Sequence, residues 1–165
     1  MAANDIPSTP VDGNVRVQFV ATIADPAAPK LTELNATSSK DLSCYLTAWD
    51  GGGDQATIND RRLCTVQAFE APGEVTRTLS VTYIVNPQSE TNNLASTTLV
   101  EGSSGYLVHR TGLPFDSAFA VGQKVDVWPV TPGLQLKVNE QGQVSRSTQK
   151  QFVRGIVRRD VAVVA

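Results

Sequence analysis

The stretch that decides the fold is FVRGIVRRDVAVVA, residues 152–165. Side chains alternate between the two faces of a β-strand, so one face of this stretch is apolar. That face carries Val153, Val157, Val161 and Val163. The pattern predicts a long strand running to the end of the sequence. Such a strand either pairs inside its own β-sandwich or, at an open edge, pairs with another chain. Both interpretations remain open at this point.

Composition and charge favour a single soluble domain. A chain of 165 residues fits one domain and buries about two thirds of its unfolded surface. Lys+Arg of 14 against Asp+Glu of 16 gives a net charge of -2, without the dense basic cluster that nucleic-acid binding requires. The N-terminus lacks the basic and apolar regions of a signal peptide, and no apolar run approaches the ~20 residues of a membrane-spanning helix. We expect a protein made in a cytoplasm, with no membrane contact.

Metal, cofactor and catalytic sites find little support in the sequence. The chain has two cysteines, Cys44 and Cys64, and a single histidine, His109, too few ligands for structural zinc. The DGGGD run at 50–54 lacks the oxygen ligands of a calcium loop. No phosphate-binding, dinucleotide-binding or nucleophile motif accompanies His109. We expect no metal, no cofactor and no catalytic residue, and the protein is not predicted to be an enzyme. Both cysteines are expected to be buried thiols rather than a disulfide, because they lie in apolar runs.

The chain is predicted to be a flexible N-terminal arm, residues 1–13, followed by one domain, residues 14–165. The arm is rich in proline and polar residues and cannot form a core. Alternating patterns predict strands at 15–20, 41–48, 63–70, 75–86, 105–111 and 123–130, with Pro72-Gly73 as a hairpin turn. The spacing changes at 89–100, which predicts the one real helix, packed on the sheet. Residues 50–54 and 134–148 are predicted to be mobile loops.

Several apolar side chains are candidates for contact with another copy of the chain. Two phenylalanines lie in a loop bounded by glycine and proline, where a small domain has difficulty burying them. A tryptophan beside charged neighbours is a common interface anchor. With the C-terminal valines, the candidates are Phe115, Phe119, Trp128, Val161, Val163 and Val164. As an alternative, Trp49 and Trp128 could stack on sugar rings, as in carbohydrate-binding β-sandwiches.

From residue 15 to residue 165, the chain resembles the major tail proteins, or tail tube proteins, of long non-contractile-tailed bacteriophages, particularly those infecting actinobacteria. The resemblance lies in the order and spacing of several segments. They are TIADPAAPKLTELNA (22–36), DLSCYLTA (41–48), DRRLC (60–64), QAFEAPGEVTRTLSVTYIVNPQ (67–88), GYLVHRTGLPFDSAFAVGQKVDVWPVTPG (105–133) and QKQFVRGIVRRDVAVVA (149–165).

This resemblance implies a mainly β, sandwich-like or barrel-like tube domain located in the virion tail. It implies hexameric rings that stack into a tube, with the tail terminator, tail-tip and tape measure proteins as partners. Viral DNA would pass through the lumen without specific binding, so a neutral or acidic lumen is expected. The resemblance supplies no catalytic residues.

Two other functions remain as alternatives. A tail terminator or head-tail connector would form a ring that caps one end of the tail, with a related fold. A carbohydrate-binding β-sandwich would use the two tryptophans instead of self-association.

Overall fold

The computed structural model describes residues 7–89 and 91–165 and is mainly β, as predicted. It contains eight strands and two short helices, where the sequence predicted one helix. In chain order they are β1 (Val15–Val20), α1 (Leu31–Leu34), β2 (Lys40–Asp41), β3 (Leu46–Asp60), β4 (Phe69–Ile84), α2 (Leu94–Thr98), β5 (Gly105–Thr111), β6 (Lys124–Val138), β7 (Arg146–Val153) and β8 (Arg158–Ala162).

All eight strands belong to one antiparallel sheet in the order β2-β1-β5-β6-β7-β4-β3, with β8 also paired to β6. The two outermost strands of this order, β2 and β3, are joined by only the four residues 42–45. Four residues span at most about 14 Å, so the two ends of the sheet lie close together. The amide of Val17 in β1 donates to Ser43 Oγ at 3.0 Å within this connection. The sheet therefore curves into a barrel-like form.

Side chains on the two faces of the sheet form two hydrophobic cores. The inner core lies inside the curved sheet and contains residues of four strands, of α2 and of the adjoining connections: Val17, Phe19, Leu42, Leu79, Val81, Tyr83, Val85, Ala95, Leu99, Leu107, Trp128 and Val130. The outer core covers β1, β5 and β6 from the other side: Val20, Ile23, Leu34, Val108, Phe119, Val125, Val127 and Val163. Alternation along each strand separates the two sets, as the pleat requires.

Two buried glutamines of β7 complete the inner core with polar contacts. Gln149 donates to the carbonyls of Leu99 and Gly133 and accepts from the Tyr83 hydroxyl at 3.2 Å. Gln151 donates to Gln149 Oε1. Burial raises the pKa of Tyr83 to about 12, because the ionised phenolate would lose its hydration.

The prediction of one long C-terminal strand at 152–165 is wrong in one respect, because this stretch is divided between two strands, β7 and β8. β7 ends at Val153 opposite Val130, and β8 begins at Arg158 opposite Val127. Both strands lie along the same edge of β6, separated by a bulge at residues 154–157 that faces Pro129. Proline has no amide hydrogen to donate, so the ladder is interrupted there, although the Arg154 amide donates to the Pro129 carbonyl at 3.0 Å.

The prediction of a loop at 50–54 is wrong, and so is the hairpin turn at Pro72-Gly73. Residues 50–54 lie inside β3, paired with residues 76–80 of β4. Pro72 and Gly73 lie inside β4, at a register shift where Gln55 pairs with Val75 and Thr57 pairs with Pro72. A β-bulge accepts a residue without a donor, so a proline-glycine pair fits there as well as in a turn. The turn of this hairpin is at residues 61–68.

The second predicted loop, at 134–148, is also wrong over most of its length. β6 continues to Val138 and β7 begins at Arg146, which leaves a connection of residues 139–145. Pro132 and Gly133 do not turn the chain, because β6 only shifts its register between Pro132 and Gln135. Polar residues at 134–148 belong to strands because one face of this part of the sheet is open to solvent.

The helix predicted at 89–100 is shorter, Leu94–Thr98. Before this helix, asparagine side chains form hydrogen bonds with backbone groups of the turns. Asn86 Nδ2 donates to the Asn92 carbonyl at 2.8 Å, and the Asn86 amide donates to Asn93 Oδ1. Asparagine side chains compete with helical hydrogen bonding in this way. Helix α2 therefore starts only after the last asparagine.

The predicted N-terminal arm lies partly outside the described residues, which begin at residue 7. Residues 7–13 are exposed, and their end is attached to the loop after β5, where the Phe115 amide donates to the Gly13 carbonyl at 2.9 Å. The two cysteines are free, but both are exposed, so the prediction of buried thiols is wrong. Within the described residues, no helix is long and apolar enough to cross a membrane.

Candidate self-association surfaces

The most prominent surface feature is a hairpin that extends beyond the rest of the sheet. β4 pairs with β7 only over Leu79–Ile84, whereas its pairing with β3 continues to Phe69. Residues 52–78, here called the projecting hairpin, consequently pair only with each other among the described residues. All but three of these residues are exposed. A two-stranded hairpin alone in water is marginally stable, so this feature is typical of a segment that contacts a partner.

Apolar side chains on the projecting hairpin are exposed to solvent. Ile58 and Phe69 are 56% and 51% exposed and Val75 is 49% exposed, while Leu63 and Val66 in the turn are 111% and 109% exposed. Ile58 pairs with Ala71, and Phe69 lies two residues from Ala71 along β4, so these side chains share one face of the hairpin. Contiguous apolar surface of this kind marks interaction sites on soluble proteins.

The glycines at the base of the hairpin allow its strands to approach other groups closely. A Cβ on Gly53 would lie 2.6 Å from the Thr76 carbonyl oxygen, and a Cβ on Gly51 would lie 3.0 Å from Nε1 of Trp49. A larger residue at position 53 would push β3 away from β4, and one at position 51 would displace the indole ring of Trp49. Gly51 and Gly53 are therefore required for close packing within a strand, whereas the sequence predicted a flexible loop at this glycine run.

The outer edge of β3 is the second candidate surface. β3 is the last strand of the sheet order and has 15 residues, whereas the strand at the other end, β2, has only two. A long edge strand presents unpaired N–H and C=O groups that can pair with another chain. The edge of β3 is thus the longest open edge of the described sheet.

The third surface is the solvent-facing side of β3, β4 and β7. Register places Asp50, Ser80 and Lys150 in one row across the three strands, and Ala48, Thr82 and Thr148 in the next row. This set of six residues is here called the open face. Thr82 and Thr148 hydroxyls are hydrogen bonded at 3.0 Å. One acidic and one basic residue cancel, so the open face is polar and nearly neutral.

Three of the six predicted self-association residues are buried in the chain itself. Phe119 is 3%, Trp128 is 6% and Val163 is 1% exposed. The prediction that they contact another copy is therefore wrong for this conformation, because their own chain covers them. Val161 and Val164 are half-buried, and Phe115 is 37% exposed. The last three remain available for contacts.

Phe119 is buried because two arginines lie over its ring. The guanidinium groups of Arg16 and Arg110 are 5.0 and 5.1 Å from the ring centroid. Arg110 is 1% exposed and donates to the carbonyls of Pro114, Ser117 and Ala118. Burial lowers the pKa of Arg110, and the neighbouring Arg16 lowers it further. This arginine fixes the loop that carries Phe115.

The two tryptophans and His109 pack against each other rather than on a ligand. Trp49 stacks on His109 and meets Trp128 edge-on with ring centroids 6.0 Å apart. Burial lowers the pKa of His109, while the charge of Asp126 opposes this effect. A buried Trp128 offers no face to a sugar ring, so the structure does not favour the carbohydrate-binding alternative. Within the described residues, no group of three or more metal-ligating side chains is present.

Sequence reasoning missed the projecting hairpin. The proline-glycine pair suggested a turn several residues later in the sequence than the observed one, and the glycine run suggested a loop. One signal for the hairpin was available, since residues 50–62 and 67–78 are both poor in large apolar groups, as expected for strands that contribute nothing to the core of the monomer.

Comparison with known proteins gives a family and a fold. A family model described as phage tail tube protein matches residues 3–165. No curated protein sequence matches the chain. Among solved structures, the chain is similar to one in a structure titled "Cryo-EM structure of the anti-feeding prophage (AFP) baseplate, 6-fold symmetrised", with a TM-score of 0.55 and 12% identity over 93% of this chain and 96% of that chain. At this identity the likeness shows the fold alone.

Proposed function

Because the chain belongs to the phage tail tube protein family, we propose that its copies close into hexameric rings that stack into the tail tube, through which the genome leaves the virion. The family supports a structural role in the tail. Contacts between identical copies are then heterologous, since one surface of each copy meets a different surface of the next. A ring needs one such contact, and stacking needs a second.

The projecting hairpin is the observation that carries this proposal. Its exposed apolar side chains have no cover in the monomer, and its strands extend past the two cores. Contact with another copy would bury this apolar surface, and each Å² buried would stabilise the contact by about 25 cal/mol. The open edge of β3 supports the same conclusion, because it can extend the sheet from one copy to the next.

The open face is our candidate for the wall of the channel. Hydroxyl groups of Ser80, Thr82 and Thr148 dominate it, and Asp50 and Lys150 balance each other in charge. A channel that transports DNA must not bind phosphates tightly, and tight binding requires clustered basic residues. A nearly neutral polar wall meets this requirement.

Six copies per ring and the remaining partners are further parts of the proposal. The similar solved structure belongs to an assembly that its title describes as six-fold symmetrised, which supports a ring of six. We also propose that the N-terminal arm, residues 1–13, contacts the neighbouring ring when rings stack. The tail terminator, tail-tip and tape measure proteins would be the other partners in the virion tail, after synthesis in the host cytoplasm.

Negative-stain electron microscopy of the concentrated, purified chain tests the proposal. Long tubes with a repeating ring spacing are expected. Isolated rings that never stack would instead favour a tail terminator or head-tail connector. A chain that remains monomeric at millimolar concentration and in the presence of a tail-tip complex would contradict both functions.

A further inference from the structure

A groove lies beside the base of the projecting hairpin, and its lining is mainly apolar. Its volume is about 330 Å³, at the lower end of the ~300–1,000 Å³ of ligand pockets. Val11, Val15, Leu46 and Phe115 contribute apolar walls. Cys44, an exposed free thiol, also lines it. This groove is here called the arm groove, because the end of the N-terminal arm forms one side.

The turn of the projecting hairpin has a complementary chemistry. Leu63 and Val66 project from it with full exposure, and every residue from 61 to 70 is exposed. The second cysteine, Cys64, lies between these two apolar residues in the sequence and is also exposed. The turn therefore presents two aliphatic groups and a thiol at its end.

Charges on the two surfaces are also complementary. Among the described residues, Asp12 is the only charged one that lines the arm groove. At the turn, Arg62 pairs with Asp60 at 2.9 Å, whereas Arg61 has no ion pair among the described residues. An unpaired arginine at the turn thus matches an unpaired carboxylate at the groove.

The turn cannot occupy the groove of its own chain. Trp49 lines the groove and Asp60 ends the same strand, β3, eleven residues later. A strand rises about 3.3 Å per residue, so the turn lies roughly 35 Å from the groove. Only a second copy can bring the two surfaces together.

We propose that the arm groove of one copy receives the hairpin turn of a second copy, with Leu63 and Val66 against the apolar walls and Arg61 beside Asp12. This inference rests on the proposed tube function and names the receiving surface for the hairpin. It places Cys44 of one copy near Cys64 of the next, although the two thiols of one chain are far apart.

Disulfide formation during assembly tests this arrangement. The chain is assembled with a copper-phenanthroline oxidant, and the assemblies are imaged and then separated under non-reducing conditions. A ladder of disulfide-linked multimers is expected, and Cys44→Ser and Cys64→Ser should each abolish it. Tubes without linked chains, or linkage that survives in either single variant, would overturn the inference and leave the tube function intact. Absence of any assembly would overturn both.

A pair of polar substitutions gives a second measurement. Leu63→Ser with Val66→Ser should raise the critical concentration for assembly about tenfold or more, because two aliphatic side chains no longer become buried. Both residues are fully exposed, so the monomer should fold normally by circular dichroism. Val100→Ser, at a site 52% exposed away from the turn, is the matched control. Equal critical concentrations for the variant and the control would contradict the proposal.

Discussion

The imidazole ring of His109 lies parallel to the indole ring of Trp49, with centroids 4.7 Å apart and planes 8° apart. These residues belong to β5 and β3, which do not pair in the sheet. Their contact therefore joins the outermost strand to the opposite wall of the curved sheet. An aromatic pair of this kind contributes about 0.5–1.5 kcal/mol beyond the area that it buries.

We predict that this pair makes stability depend on pH. Burial holds the pKa of His109 below its ordinary value of 6.5, so the unfolded chain binds more protons than the folded chain near and below that pH. Protonation of His109 should therefore have no effect on the free energy of unfolding above pH 6.5 and should lower it as the pH falls below that value. His109→Phe keeps an aromatic ring but cannot titrate. The loss of melting temperature from pH 7.5 to pH 5 should therefore be smaller in His109→Phe than in the original chain. An identical loss in both would show that His109 does not contribute.

Arg110 is predicted to be the most sensitive charged position of the chain. Its guanidinium donates to three carbonyls, to Gln123 Oε1 and to Ser117 Oγ, which a lysine ammonium cannot reproduce. Arg110→Lys should lower the free energy of unfolding by about 3 kcal/mol, because buried carbonyls lose their donors. Arg159→Lys, on the exposed strand β8, should change it by less than about 0.5 kcal/mol. Urea denaturation of the monomer measures both, and equal midpoints would refute the prediction.

The glycine run in β3 offers a matched pair of substitutions. Gly53→Ala should destabilise the hairpin by about 1–3 kcal/mol, because the new methyl group would lie 2.6 Å from the Thr76 carbonyl oxygen. Gly52→Ala should be neutral or slightly stabilising, because its methyl group meets only the movable Thr78 hydroxyl at 3.3 Å and alanine restricts the unfolded chain. Hydrogen exchange of residues 52–78 should become faster in the first variant only. Equal protection in both would contradict the close-approach explanation.

Removing the projecting hairpin should separate folding from assembly. In the variant, Asn-Gly replaces residues 55–75 and joins Asp54 to Thr76, which are paired across the hairpin. Asparagine-glycine suits a two-residue hairpin turn. Neither core contains a residue of the removed segment, so the thermal unfolding transition should stay cooperative. Tubes should be absent at concentrations where the full chain forms them. Tubes of normal length from this variant would remove the hairpin from the assembly mechanism.

Much of the architecture was predictable from alternation. The mainly β fold and the family resemblance are confirmed, because runs such as Leu79, Val81 and Tyr83 have one buried face in any sheet of this kind. The ends of elements were less predictable. Proline and glycine fit both turns and bulges, so Pro72-Gly73 indicated a turn that tertiary pairing converts into a bulge.

The candidate surfaces were predicted less well, for a physical reason. Apolar residues such as Phe119 and Val163 serve equally well in a core and in an interface, and the sequence does not distinguish the two. Phe119 is an example, because the buried guanidinium group of Arg110 covers its ring. The sequence pattern does not indicate this contact. The two most exposed large apolar side chains among the described residues, Leu63 and Val66, lie instead on a hairpin whose length depends on the register of β3 with β4.

The strand order has a consequence for how fast the chain folds. β3 and β4 are neighbours in sequence, whereas β1 pairs with β5 through Val15 and Thr111, 96 positions apart (111 − 15). Local pairs form early, and distant pairs must first overcome the entropy of closing a long loop. We expect the hairpin to form within microseconds and the rest of the sheet to form in milliseconds or longer, which stopped-flow fluorescence of the tryptophans can follow. During that interval, a newly synthesised chain already exposes the projecting hairpin before the rest of its sheet has formed.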